Sequence, residues 1–161
     1  MDIIDKLLTT GEAHARKILL ELRQKELTPL YHIVSGGKEP DALIPCHFAN
    51  NIEKQITFLN AKNIARNMKA IAGMFIGESW MLSVPEDRIR TIDQEPRPSQ
   101  HPDRIEVVML VATTGRETRS RSLRIIRNKQ GRIIDLVTDP IDPGIISGGM
   151  IDGLIEPQPA H

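Results

Sequence analysis

The chain has 161 residues, the length of one ordinary domain, and its 40% apolar share is enough to close a core without staples. Lys plus Arg and Asp plus Glu number 21 each, so net charge points to neither nucleic acid nor membrane as a partner. The lone Cys46 excludes an internal disulfide and fits a reducing compartment. The N-terminus, Met1-Asp2-Ile3-Ile4-Asp5, is acidic and does not read as a secretory signal. No run approaches the ~18 apolar residues of a spanning helix. The expected location is the cytoplasm.

From about Asp2 to Glu26, Ile4, Leu8, Gly11, Ala15, Ile18 and Leu22 recur at steps of three and four, which predicts a helix with one buried stripe. A break at Thr9-Thr10-Gly11, with Thr10 capping a second piece, is an alternative. Thr28-Pro29 ends the helix. Leu30 to Val34 and Leu43 to Phe48 read as short strands around a Gly- and Pro-containing turn. Asn50 or Asn51 then caps a helix to about Ala70, with Ile52, Ile56, Leu59, Ile64, Met68 and Ile71 expected inward.

An apolar strand over Ala72 to Leu82 follows, then a polar, Pro-containing segment from about Pro85 to Arg104, too long for a simple connection. Ile105 to Thr113 is a strand apolar at both parities, so both of its faces need cover. Gly115 turns it into a strand near Arg119 to Arg127, and Asn128-Lys129-Gln130-Gly131 turns that into Arg132 to Thr138. The order α-β-β-α-β-β-β-β predicts a two-layer α+β domain over 1–138, with a mostly antiparallel sheet and the helices on one face. Residues 139–161 form a Pro- and Gly-rich arm that is acidic yet carries Ile141, Ile145, Ile146, Met150, Ile151, Leu154 and Ile155. That is too apolar for a solvated linker, so the arm is expected to lie on a surface, its own or a neighbour's.

Glu78 is the sharpest chemical signal. Alternation puts it on the face of Met74, Ile76, Trp80 and Leu82, where a carboxylate must find a partner, reach water or hold its proton. It is either an acid/base group or one half of a structural ion pair, with Arg104 the first candidate partner. The segment Pro96 to Glu106 concentrates further candidates, namely His101, Asp103 and Arg104 beside the best strand. The same residues also serve as an ordered structural loop.

His32, His47, Glu78 and His101 would have to converge from afar to hold a metal, and no ligand spacing supports this, so neither metal nor cofactor is expected. Cys46 and His47 are strand neighbours that point to opposite faces, which argues against a thiol–imidazole pair. No dinucleotide, P-loop or nucleophile-elbow motif occurs. Arg116, Arg119, Arg121, Arg124, Arg127, Lys129 and Arg132 face only Glu117 in their segment. Every later charge is acidic, at Asp135, Asp139, Asp142, Asp152 and Glu156. The hairpin face formed by Arg119, Arg121, Arg124 and Arg127 is a nucleic-acid candidate, but it has no aromatic to stack on a base. The bland alternative is a face solvated or paired with the acidic arm.

The run Gly77-Glu78-Ser79-Trp80, followed by Pro98-Ser99-Gln100-His101-Pro102-Asp103-Arg104-Ile105-Glu106, resembles a pattern of small bacterial hypothetical proteins. In these a Ser-Glu-Ala-Trp-like strand end precedes a Pro-Ser-x-x-Pro-Asp-Arg-x-Glu-like segment. The resemblance implies no substrate or mechanism. It implies that Glu78, Trp80 and 98–106 belong to one structural unit. The leading functional expectation is a non-enzymatic cytoplasmic protein that assembles with itself as a homodimer, the arm helping, and that binds a protein or another macromolecule. The rivals are a small-ligand binder or enzyme with an acid/base site at Glu78 and 96–106, and a nucleic-acid binder using the 116–132 hairpin.

Overall fold

A computed structural model describes residues 1–81, 105–139 and 151–157. Helix α1 spans Ile3–Arg16. Asp2 caps it by accepting a hydrogen bond from the Asp5 amide at 2.9 Å. The helix runs unbroken through Thr9-Thr10-Gly11, and Gly11, with no side chain, lets it sit close on the sheet. A Cβ there would lie 2.4 Å from Leu110 Cδ2. Past Arg16 the helix widens into a π-helical turn over Lys17–Glu21, with the Leu22 amide donating to the Lys17 carbonyl at 2.8 Å.

Strands β1 (Leu30–Val34), β2 (Ala42–Pro45), β3 (Ala72–Met81), β4 (Ile105–Thr113), β5 (Thr118–Arg127) and β6 (Ile133–Asp139) form one sheet in the order β2-β1-β3-β4-β5-β6. Every neighbouring pair is antiparallel. Helix α2 spans Asn51–Asn67 and is capped by Asn50, which accepts from the Glu53 amide at 2.8 Å. The fold is α+β, with the helices packed against an antiparallel sheet.

The helices do not share a face, however, and here the structure corrects the expectation of two layers. On one side α1 lays Ile4, Leu7, Leu8 and Ala15, and the π turn lays Leu19, onto Met74, Ile76, Val108, Leu110, Leu123, Ile125 and Leu136. On the other, Tyr31, Ile33, Phe75, Met109 and Val111 meet Ala61 and Ala65 of α2 together with Ile151, Leu154 and Ile155 of the C-terminal segment. The alternating side chains of β4 feed both clusters, as a strand covered on two faces requires.

A second correction concerns which side of α2 is buried. Ile52, Ile56 and Leu59 point outward, and Ile71 beyond the helix is exposed, while Ile64 and Met68 are half-buried. The helix docks through Ala61 and Ala65, flanked by Phe58 and Met68, because small side chains let its backbone come close to β1. Size, rather than hydrophobicity alone, chose the face.

Candidate functional site

The register of β3 on β4 puts Glu78 opposite Val108 and Trp80 opposite Glu106, so these side chains continue the α1-covered face beyond the end of the core. Leu27, in the link from the π turn to β1, is buried there, and its amide donates to Glu78 Oε1 at 3.0 Å. Glu106 is held by Arg127 of β5 through two parallel bonds, from Nε at 2.8 Å and Nη2 at 2.6 Å. The third nitrogen of Arg127, Nη1, donates to the Gly131 carbonyl at 2.7 Å and ties the guanidinium to the β5–β6 turn.

The surroundings push the Glu78 carboxyl above the usual carboxylate range. Burial of the carboxyl end contributes most, opposed by the Leu27 amide. The Glu106 charge adds to the rise, the Arg127 charge subtracts, and Glu26 adds a little. Glu78 is exposed as a residue, so only its carboxylate end experiences this partial desolvation.

Arg127 also forms one wall of a cleft of about 860 Å³ between the π turn and the β5–β6 hairpin. The cleft has an apolar side, made by Leu19, Leu20, Ile133 and Ile134, and a basic side, made by Arg23, Lys25, Arg127 and Arg132. No carboxylate among the described residues lines it. Among the described residues, Arg23, Lys25 and Arg132 make no ion pair. Arg23 has a left-handed backbone, φ +53°, a conformation that costs a non-glycine residue ~1–3 kcal/mol. The widened helix end and this reversal place Arg23 and Lys25 across from the hairpin turn. In that turn Asn128 Oδ1 accepts from the amides of Gln130 and Arg132, both at 3.0 Å.

Of the residues singled out in the sequence, the structure brings Glu78 and Arg127 together across Glu106. His101, Asp103 and Arg104 lie outside the described residues, as does the rest of the 96–104 segment. The other hairpin arginines go elsewhere. Arg119 pairs with Asp2, Asp5 at 2.7 Å and Glu117 at 3.1 Å, while Arg121 lies 3.8 Å from Glu12. Arg124, of opposite parity, is exposed on the other side of the sheet. The acids that meet Arg119 and Arg121 therefore come from α1, its cap Asp2 and Glu117. Glu156 of the C-terminal segment pairs instead with Arg66 of α2, at 3.1 Å.

His32 is bonded to Asp41 at 2.8 Å, and the described residues contain no His, Cys, Asp and Glu grouping able to hold a metal. Cys46 is buried, its thiol donates to the Ile44 carbonyl at 3.4 Å, and burial pushes it up to about 11, while His47 is exposed. Arg132 was visible in the sequence as part of the basic hairpin, but Arg23 and Lys25 were not, because they belong to a turn more than 100 residues away and only the fold makes them one wall.

No protein-family model matches the chain, no curated protein matches it, and no solved structure matches it. Among the described residues no helix is long and apolar enough to cross a membrane.

Proposed function

We propose that the protein is a binding protein for a small anion with an apolar body, held in the cleft between the π turn and the β5–β6 hairpin. One observation carries this reading: Arg23, Lys25 and Arg132 converge on an apolar wall without an acidic partner among the described residues. Arg119 and Arg121, elsewhere on the same sheet, each face a carboxylate, and Arg127, the fourth basic residue of the cleft, is already held by Glu106. A concave wall of one sign concentrates potential and draws in counter-charge. Guanidinium groups suit a carboxylate or phosphate in particular, because their donors match two acceptor oxygens at once. Leu19, Leu20, Ile133 and Ile134 would receive the hydrocarbon part of such a ligand.

In this reading Glu106 and Glu78 are positioning residues. Glu106 fixes the Arg127 guanidinium, and Glu78 fixes the Leu27 amide at the exit of the π turn. No acid/base step is assigned to Glu78, and the protein is read as non-enzymatic. A reducing cytoplasm suits its single buried thiol.

The test is a titration followed by amide NMR shifts, with octanoate, octyl phosphate and inorganic phosphate as probes at low and physiological salt. Octanoate and octyl phosphate should shift the amides of 19–25 and 128–134 and bind more tightly than inorganic phosphate. Arg23→Ser and Arg132→Ser should each weaken binding about tenfold. Shifts elsewhere only, or affinities unchanged in both variants, would remove the cleft as the site.

A further inference from the structure

Helix α2 carries a second apolar stripe, diametrically opposite the buried Ala61 and Ala65. Ile52, Ile56 and Leu59 are 68%, 53% and 55% exposed, large values for side chains of this size in a helix that is otherwise polar on that side. Their spacing of four and then three is that of a coiled-coil seam. The next seam position is Asn63, also exposed. A polar residue there lowers stability but fixes alignment and the number of strands. The buried side of the helix needs nothing more from this stripe, since it docks through alanines.

We infer that this stripe is the contact between two copies of the chain, with the two α2 helices packed antiparallel about a two-fold axis. A stripe that pairs with itself is the simplest closed arrangement, because one patch makes the same contact twice. The direction follows from charge. The C-terminal half of α2 and the residues just after it hold Lys62, Lys69 and Arg66, the last paired with Glu156, whereas the acid of the helix, Glu53, is in its first turn. A parallel pair would set each base beside its own copy and would bring Arg66, the seam position after Asn63, against itself. An antiparallel pair moves each basic half away from its own copy, toward the partner's N-terminal end, where Glu53 and Lys54 balance, and it opposes the helix dipoles. Lys54, basic but near the N-terminal end, is turned out of the seam and lies 5.9 Å over the Phe48 ring. Gln55 and Lys62 flank the seam on one side, and in the antiparallel arrangement Gln55 of one copy comes opposite Lys62 of the other.

The C-terminal segment takes no part in this contact as far as it is described. Ile151, Leu154 and Ile155 are spent on the sheet of their own chain. One short helix pair is a small interface, so association in about the micromolar range is expected.

Sedimentation equilibrium of the full chain from about 1 µM to 1 mM tests the inference. Wild type should pass from monomer to dimer in that range, and Ile56→Asp, an exposed position that cannot upset the core, should stay monomeric. Gln55→Glu should tighten the dimer about threefold at low salt, and Gln55→Lys should loosen it by a similar factor. A monomeric wild type at 1 mM overturns the contact, as does a dimer that survives Ile56→Asp. A dimer lost in Ile56→Asp but indifferent to charge at position 55 overturns the antiparallel arrangement.

Discussion

The two faces of the sheet are closed in different ways, and the difference sorts structural residues from available ones. On the α1 face a single helix brings large side chains down in one continuous layer, and Gly11 lets it sit close over Leu110 and Met74. Its charges are also spent locally, in pairs such as Arg119 with Asp5. On the α2 face, cover is assembled from a helix docked by alanines and from three apolar residues of the C-terminal segment. That helix keeps Ile52, Ile56 and Leu59 outside. A face closed by one well-fitted element leaves surplus chemistry only at its end, where α1 unwinds into the cleft. A face closed in pieces leaves it along the back of the covering helix.

The sharpest way to break this comparison is to truncate one leucine from each helix. Leu8 of α1 is 3% exposed, and Leu8→Ala should cost about 2–5 kcal/mol, from lost transfer energy plus an unfilled cavity. Leu59→Ala, on the outer stripe of α2, should stay within about 0.5 kcal/mol of wild type when urea unfolding is followed at a concentration that keeps the chain monomeric. Equal losses would mean that α2 is buried on the side described as free.

Adding a methyl group asks the same question in reverse. Gly11→Ala would place its Cβ 2.4 Å from Leu110 Cδ2 and 2.8 Å from Met74 Cε, both fully buried side chains of the α1 layer. Overpacking of this kind costs ~1–3 kcal/mol, partly offset by the ~1 kcal/mol helix preference of Ala over Gly. Gly73→Ala meets Leu154 Cδ2 at 2.9 Å and Ile155 Cδ1 at 3.2 Å, milder overlaps with side-chain ends that a shift of a few tenths of an ångström relieves. The relief of glycine's backbone entropy, ~0.5–1 kcal/mol, should leave this variant near neutral. Thermal melts of the two variants should therefore rank Gly11→Ala well below Gly73→Ala.

The elements themselves were legible in the sequence, because strand alternation and helical spacing report burial on one side. Asn50 as a cap, the Asn128–Gly131 turn and the doubly apolar β4 are local signals that read correctly. The facing of α2 was not legible. Two stripes compete on it, and hydrophobicity favours the larger residues, while close docking favours Ala61 and Ala65. Glu78 drew notice as a carboxylate on an apolar face, but its hydrogen bond comes from the Leu27 backbone, which no side-chain pattern encodes. The α1 acids that hold Arg119 and Arg121 were equally hidden, since Asp2, Asp5 and Glu12 read as ordinary helix-surface charges until the sheet is folded beneath them.

The smallest effect contrasts the two ends of the α1 face, where two carboxyl groups should titrate with opposite consequences. Asp2 accepts from the Asp5 amide and pairs with Arg119, which holds its carboxyl below the ordinary value of 3.8. A lowered folded value means that its stabilisation is present above the unfolded value and is lost as pH falls through the folded one. Glu78, at the other end, is raised above 4.5, with burial the first cause. Here the folded chain favours the protonated form, so the contribution is full below 4.5 and is lost as pH rises through the folded value. Asp2→Asn should therefore approach wild-type stability as the solution becomes more acidic than 3.8. Glu78→Gln, which keeps an oxygen for the Leu27 amide, should gain on wild type as pH climbs above 4.5 and then run parallel to it. Solvent screens a group as exposed as Glu78, so its swing should stay below about 1 kcal/mol. Urea unfolding of both variants between about pH 3 and 8 gives the two slopes. If Glu78→Gln instead loses ground as pH rises, the carboxylate is stabilised by a cation in the folded chain, and the end of the α1 face is an ion-paired closure like the Asp2 end.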